Sequence, residues 1–496
     1  MTQVRQRAFT FLFLGAILVQ AAWVFAVPPF RGIDEIDHAF RAAGVASGQW
    51  MPNTVAENGR GYLVVVPQTI AAAAGPECRA LEYMGPDNCQ PVRELAADNV
   101  TIASAAARYN PLFYRVIGTP TQWLDGAQAL YGMRIVAGLL CAGFIALAGW
   151  AISLWARTSW PMVSLLVAMT PVTIYSTSIS APNGVELGAS LALWVTLLGL
   201  TRPQLAAATE RALLWAALPS GVVLATVRSL GPVWLGLIVL TVAAFLGVNE
   251  TLSLLRRHRR TVSVVAATIS TAVVAGAWWT LSAGTNQLEE HLDLPNPFTK
   301  TLEQIPVWFL QSIAAFPTRD EQAPVIVYAA SMVVLLALVG VGFWVGSRRS
   351  RLAIAGTLFV ALLVPFVATV TTYSQTGAIW QGRYGLPYTF GVILFAGLAL
   401  DERRHAHRLA GPALLAGCLA MVTAHVVGVT NVLILERANS PQSGDPAWLM
   451  PAPWIVALLM ILGWLAWVLA LRKQVAFAPT GPAKAPTKRK QSSISA

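Results

Sequence analysis

Runs of about 20 apolar residues, separated by short polar or basic stretches, recur from one end of this 496-residue chain to the other. Segments that long and that continuously apolar match the hydrocarbon core of a bilayer, where only a helix satisfies its whole backbone within one segment. Hydrophobic residues make up 56% and charged residues 11% of the chain, whereas roughly a quarter of a soluble domain is charged. The mean hydropathy is +0.59. The chain therefore reads as an all-α polytopic membrane protein, and a transmembrane barrel is excluded.

Basic clusters punctuate these runs and predict the topology. Arg5 and Arg7 precede the first run, and Arg157, Arg202, Arg211, Arg256–Arg260, Arg348–Arg351 and Arg403–Arg404 follow or separate later ones. If all of them face the cytoplasm, the positive-inside rule is satisfied by about twelve spans with both termini inside. The expected spans lie near 8–27, 130–155, 160–179, 183–200, two within 212–248, then 262–283, up to 346, 352–372, 384–400, one ending near 432, and 454–471. The first is expected to be an uncleaved span rather than a signal peptide, because Val27-Pro28-Pro29 offers no cleavage site. Residues 28–128 hold ten Asp or Glu, seven Arg and no Lys, a composition that belongs outside the cytoplasm. The division is thus residues 1–27, a first span; 28–128, a large extracytoplasmic loop; 129–472, a bundle with a second outer loop at 284–323; and 473–496, a disordered basic tail. A plasma membrane protein is expected.

The net charge of +11 follows from that topology, and no nucleic acid partner is expected. Lys484, Lys488, Arg489 and Lys490 lie in the Pro/Ala/Ser-rich tail, which suits anionic lipid. Cys141 and Cys418 fall within spans. Cys78 and Cys89 share the first outer loop, where a disulfide would contribute about 3 kcal/mol by loop entropy. No cysteine, histidine or carboxylate grouping has metal-ligand spacing, and no cofactor motif is present.

Chemistry concentrates just after the first span, in Pro28-Pro29-Phe30-Arg31-Gly32-Ile33-Asp34-Glu35-Ile36-Asp37-His38-Ala39-Phe40-Arg41. Ile36, Phe40 and Ala43 recur at helical spacing, which predicts an amphipathic helix on the outer membrane surface that lifts Asp34, Asp37, His38 and Arg41 toward water. Asp34 suits the N-cap and Asp37 can pair with Arg41 at i+4. The functional reading makes a carboxylate, Asp34 first, a general base at the membrane surface, with Glu35 or His38 in support. Glu186, just inside a span, is a further candidate or else the partner of an arginine such as Arg134. His425 within a span reads as a helix-packing hydrogen bonder.

The Pro-rich exit from span 1 followed by Asp34-Glu35-x-x-His38-x-Phe40 resembles a polytopic membrane family that carries the label of a domain of unknown function. That family is similar in layout to the GT-C membrane glycosyltransferases. Asn110-Pro111-Leu112-Phe113-Tyr114, the turn Ser178–Asn183 and Gln381-Gly382-Arg383-Tyr384-x-x-Pro387 resemble its other motifs. The resemblance implies sugar transfer from a polyprenyl-phosphate donor, held by the membrane lipid, to a glycan or lipid acceptor of the cell envelope. On that reading Arg383 and Arg228 bind the donor phosphate, and Asn110, Tyr114, Glu186, Trp380 and Tyr384 contact substrate. Two other functions are compatible with the spans: a transporter or flippase for lipid-linked sugars, and a non-catalytic membrane assembly factor.

Overall fold

A computed structural model of the chain describes residues 2–95, 98–284, 296–318, 321–378, 380–403 and 410–475. Helix α1 (Thr2–Ala26) leads into a folded segment made of α2 (Glu35–Ala46), β1 (Tyr62–Pro67), α3 (Gln68–Arg79), α4 (Pro86–Cys89), β2 (Arg93–Glu94), β3 (Asn99–Ser104) and α5 (Pro111–Ile117). The remainder is helical: α6 (Gly126–Trp155), α7 (Trp160–Ala168), α8 (Pro171–Ser176), α9 (Pro182–Leu200), α10 (Ala207–Thr226), α11 (Gly231–Leu246), α12 (Val248–Arg257), α13 (Arg259–Ala283), α14 (Pro297–Gln311), α15 (Val325–Val345), α16 (Arg348–Thr376), α17 (Gly382–Asp401), α18 (Ala410–Asn439) and α19 (Pro453–Val475). Among the described residues nine helices are long and apolar enough to cross a membrane, and ten if α11 and α12 count as one bent span.

The twelve expected spans map onto these helices, the remaining ones being α7 with α8, α10 and α11. The third is not continuous. Pro171 disfavours helical backbone at Thr170, so α7 stops and α8 restarts. The backbone groups freed by the break find partners: His425 Nε2 meets the Met169 carbonyl at 2.8 Å, and Val172 N–H donates to Ile313 at 3.0 Å. The sixth ends at Gly247, whose φ of 89° turns the chain through 106° into α12. Helices α9 and α17 are buried almost throughout, while α13, α15 and α16 leave most of their apolar surface exposed, as helices at a lipid boundary do. The basic residues of the tail from 476 onward lie outside the described residues.

The segment after α1 contains a three-stranded antiparallel sheet, ordered β1-β3-β2, which the sequence reading did not include. Its strands are rich in β-branched residues, and alternate side chains point inward: Val64, Val66, Val100 and Ile102 are fully buried. Cys78 and Cys89 are joined by a disulfide with their Cα atoms 5.3 Å apart, while Cys141 and Cys418 are free and buried. Helix α2 does not lie on a membrane surface as expected. Every residue from Glu35 to Val45 is buried, because α2 packs at once against α3, α5, β1 and β3. The expected Asp37–Arg41 pair is not formed either: Arg41 donates to the carbonyls of Gln49, Trp50 and Tyr109 at 2.7–3.2 Å, and Asp37 Oδ1 accepts from Ala105 N–H at 2.6 Å. Burial on all sides removes the solvent-facing helix surface that such an i,i+4 pair needs.

A buried ion pair fixes this segment to the bundle. Arg134 of α6 grips both oxygens of Glu35, with Nε–Oε1 2.8 Å and Nη2–Oε2 2.6 Å, and donates to the carbonyls of Val24, Val27 and Pro28. The guanidinium thus ties the free carbonyls at the end of α1 to the start of α2. At the opposite end of the bundle, Arg202 after α9 pairs with Asp401 of α17, whose carboxylate also accepts from Thr158.

Candidate active site

Asp34 stands at the N-cap position of α2 without serving as a cap. Its backbone is left-handed (φ 57°) and its side chain makes no bond to the first turn. Glu35 instead folds back to accept from Gly32 N–H at 3.2 Å, and Tyr175 holds Ile33 N–H at 3.0 Å. Asp34 is left free to reach Arg383, whose Nη2 donates to Oδ2 at 3.0 Å. Asp and Asn tolerate the left-handed region better than other residues with a Cβ. Its side chain remains 42% exposed.

Arg383 occupies the first turn of α17. Gly382 N–H donates to Gln311 Oε1 at 2.9 Å, and a Cβ at Gly382 would run into the Trp308 carbonyl, so only glycine lets α17 start this close to α14. The Arg383 side chain is buried, and its Nε and Nη1 have no hydrogen-bond partner among the described residues. Arg228, in the turn between α10 and α11, donates to Glu186 Oε2 at 3.2 Å. Both guanidinium carbons face the same ring: Arg228 is 4.6 Å and Arg383 5.4 Å from the centre of Tyr384. Trp380 lies edge-on to Tyr384 at 6.0 Å.

The structure therefore brings together Asp34, Arg383, Arg228, Glu186, Tyr384 and Trp380 from four separate stretches of chain. Glu186 is paired with Arg228 rather than Arg134, because Glu35 already engages Arg134. Glu35 is fully buried with its carboxylate occupied, so it cannot touch a substrate from this position. His38 and Tyr114 form a layer behind Asp34: Tyr114 O–H meets His38 Nδ1 at 2.8 Å and both are buried. Asn110 caps α5 by accepting from Leu112 N–H at 3.1 Å. Tyr109 belongs with this group and was not singled out from the sequence. Its ring is 5.9 Å from His38, and its only sequence signal is its place directly before Asn110-Pro111.

The electrostatics follow from burial and from the arginines. Desolvation favours the protonated form of Asp34, but Arg383, with smaller contributions from His38, Arg60 and Arg228, holds the carboxyl below its usual range. Burial pushes His38 down to about 4, despite the pull of Asp34, so the imidazole is neutral at ordinary pH. Burial pushes Asp37 up to about 6, against Arg60 and the Ala105 N–H bond. Arg228 is desolvated too, yet Glu186, Tyr384, Tyr109 and Asp34 raise it above its ordinary value. The result is two charged arginines, one of them with free buried donors, around one ionised carboxylate.

A family profile described as a predicted membrane protein, DUF2142, matches residues 17–392. The chain belongs to the DUF2142 family. The match includes Asp34, Arg228 and Arg383. Among solved structures, the DUF2142 chain is similar over 93% of its length to ArnT from Cupriavidus metallidurans bound to undecaprenyl phosphate, with 14% identity, 76% of that chain covered and a TM-score of 0.43. The apo form of the same ArnT gives 88% and 75% coverage, 14% identity and a TM-score of 0.41. No curated protein matches the DUF2142 chain.

Proposed function

We propose that this protein is a membrane glycosyltransferase that moves a sugar from a polyprenyl-phosphate donor to a glycan or lipid acceptor on the extracytoplasmic side. The observation that carries the reading is Arg383: a buried guanidinium with two unpartnered donor nitrogens beside a partly open carboxylate. Buried donors are seldom left unpaired, since each costs about 1–3 kcal/mol, and a phosphate oxygen arriving at Nε and Nη1 removes that cost. Arg228 adds the second positive charge that a leaving phosphate needs. The acid-rich, lysine-free segment 28–128 and its disulfide support the extracytoplasmic side.

In the reaction the acceptor oxygen bonds to the sugar's anomeric carbon and the bond from that carbon to the phosphate oxygen breaks. The acceptor proton passes to Asp34, and the polyprenyl phosphate leaves as an anion held by Arg383 and Arg228. Asp34 paired to Arg383 is a weak base. When the donor phosphate draws on Arg383, the hold on Asp34 loosens and its proton affinity rises, so the base becomes competent only with donor in place. Trp380 and Tyr384 supply ring faces for the sugar.

Purified protein in nanodiscs should bind undecaprenyl phosphate, measured by native mass spectrometry, and Arg383→Gln should weaken that binding at least about tenfold, the loss of a charge-assisted pair. In proteoliposomes loaded with undecaprenyl-phosphate sugars and a crude envelope acceptor, Asp34→Asn should abolish sugar transfer while the protein still folds. Full transfer by Asp34→Asn would remove Asp34 from the chemistry. Movement of labelled lipid across the bilayer without any covalent change would replace the enzyme by a flippase.

A further inference from the structure

The folded segment after α1 holds one short loop with unusual rigidity. Asn88, itself fully buried, grips Arg60 from both sides, accepting from its N–H at 2.8 Å and donating to its carbonyl at 3.1 Å. Asp87 accepts from the N–H groups of Glu57 and Asn58 at 3.1 and 2.8 Å. Both acceptors sit on α4, and the Cys78–Cys89 disulfide locks α4 to α3. The backbone of residues 57–60 is therefore fixed by a covalent link and four hydrogen bonds.

What this frame presents is a free cation. The Arg60 side chain is exposed and, among the described residues, makes no hydrogen bond or ion pair. Its guanidinium stacks over the ring of Tyr83 at 5.2 Å, and Tyr83 is itself 49% exposed. The pair is not remote from the site. Tyr62, two residues after Arg60, pairs with Ser104, whose hydroxyl donates to the Asp37 carbonyl at 2.8 Å, so the loop is anchored on the helix that Asp34 begins, and the charge of Arg60 lowers both Asp34 and Asp37. An arginine free to rotate gives up much side-chain entropy on binding an anion; one set on a clamped loop and an aromatic face has already given up part of it. An aromatic ring beside a guanidinium offers a sugar a flat face and an acidic group a forked donor.

We propose that Arg60 and Tyr83 form an acceptor subsite at the solvent side of the Asp34–Arg383 site, selecting an acceptor that carries an acidic group, carboxylate or phosphate, next to the sugar that stacks on Tyr83. This rests on the reading of the site as a glycosyl-transfer centre. The donor phosphate takes Arg383 and Arg228, so a separate cation is needed to hold a negatively charged acceptor in the same place.

The test uses full-length protein in nanodiscs and three probes, glucose, glucuronate and glucose 6-phosphate, with affinities measured by saturation-transfer NMR. At least one acidic probe should bind about fivefold or more tightly than glucose, and the better of the two identifies carboxylate or phosphate as the preferred group. Arg60→Gln, a change at an exposed side chain, should remove that preference while leaving undecaprenyl phosphate binding unchanged. Arg60→Lys should keep part of the preference, and Tyr83→Ala should weaken all three probes. Equal binding of acidic and neutral probes by the wild type, or a preference that survives Arg60→Gln, overturns the subsite. Absence of undecaprenyl phosphate binding with an Arg60-dependent preference intact would instead overturn the transfer reading and leave the anion subsite standing.

Discussion

Asp37 and His38 are neighbours in sequence, buried in the same helix, and shifted in opposite directions for the same reason. Burial disfavours whichever form is charged, so the carboxyl rises to about 6 and the imidazole falls to about 4. Their effects on stability oppose each other. His38 has a folded value below its ordinary 6.5, so its contribution is fully present above about pH 6.5 and is lost as pH falls toward 4. Asp37 has a folded value above its ordinary 3.8, so it favours the folded state below about pH 4 and that advantage is lost as pH rises through 6. Between those limits the two nearly cancel. Asp37→Asn should remove the opposing dependence: thermal unfolding in detergent, scanned from pH 7 to pH 4, should show a loss on the order of 3 kcal/mol relative to the wild type. A variant profile parallel to that of the wild type would mean that Asp37 titrates in the folded protein as it does in water. Nothing in the residue sequence alone shows these opposite shifts, since neither side chain is marked as buried by its neighbours in the chain.

At the scale of the element, the start of α2 divides one acidic pair into two roles. Asp34 and Glu35 read alike in sequence, yet Glu35 points into the bundle to Arg134 and Asp34 points across to Arg383. The left-handed turn at Asp34 separates them. Glu35→Gln should cost about 3–5 kcal/mol, because it leaves Arg134 buried without its counter-charge. Chemical denaturation in detergent measures the loss, and Arg134→Met, which also takes the donor from the Val24, Val27 and Pro28 carbonyls, should deepen it. If Glu35→Gln abolished transfer at unchanged stability, Glu35 would be a participant in the chemistry instead of an anchor. The same helix shows why amphipathic spacing misled. Ile36 and Phe40 face the core as the pattern requires, but the opposite face is covered by the sheet, which comes from residues 62–104 and cannot be seen from α2 alone.

At the scale of the whole molecule, a disulfide-braced segment of mixed structure rests on a helical bundle, and the site lies where the two meet. The Cys78–Cys89 link closes a loop of separation 11, worth about 3 kcal/mol to the folded form. Reduction should therefore loosen residues 55–61 and 78–90 to hydrogen exchange, while α9 and α17, buried within the bundle, keep their protection. Loss of protection throughout would mean that the segment and the bundle fold as one unit. The membrane architecture was legible in the sequence because lipid imposes one-dimensional requirements, a length and an apolar composition, both written locally. The residues that carry charge near the ends of spans, Asp34, Arg228 and Arg383, were legible for the same reason, since charge is rare in such a chain. What only the tertiary structure decided was partnership. That Arg383 takes Asp34, that Arg134 takes Glu35, that Arg228 takes Glu186 and that Arg60 is left free depends on how α2, α6, α10, α17 and the sheet pack, and that packing joins Asp34 to Arg383 across 349 positions of chain whose separation carries no record of it.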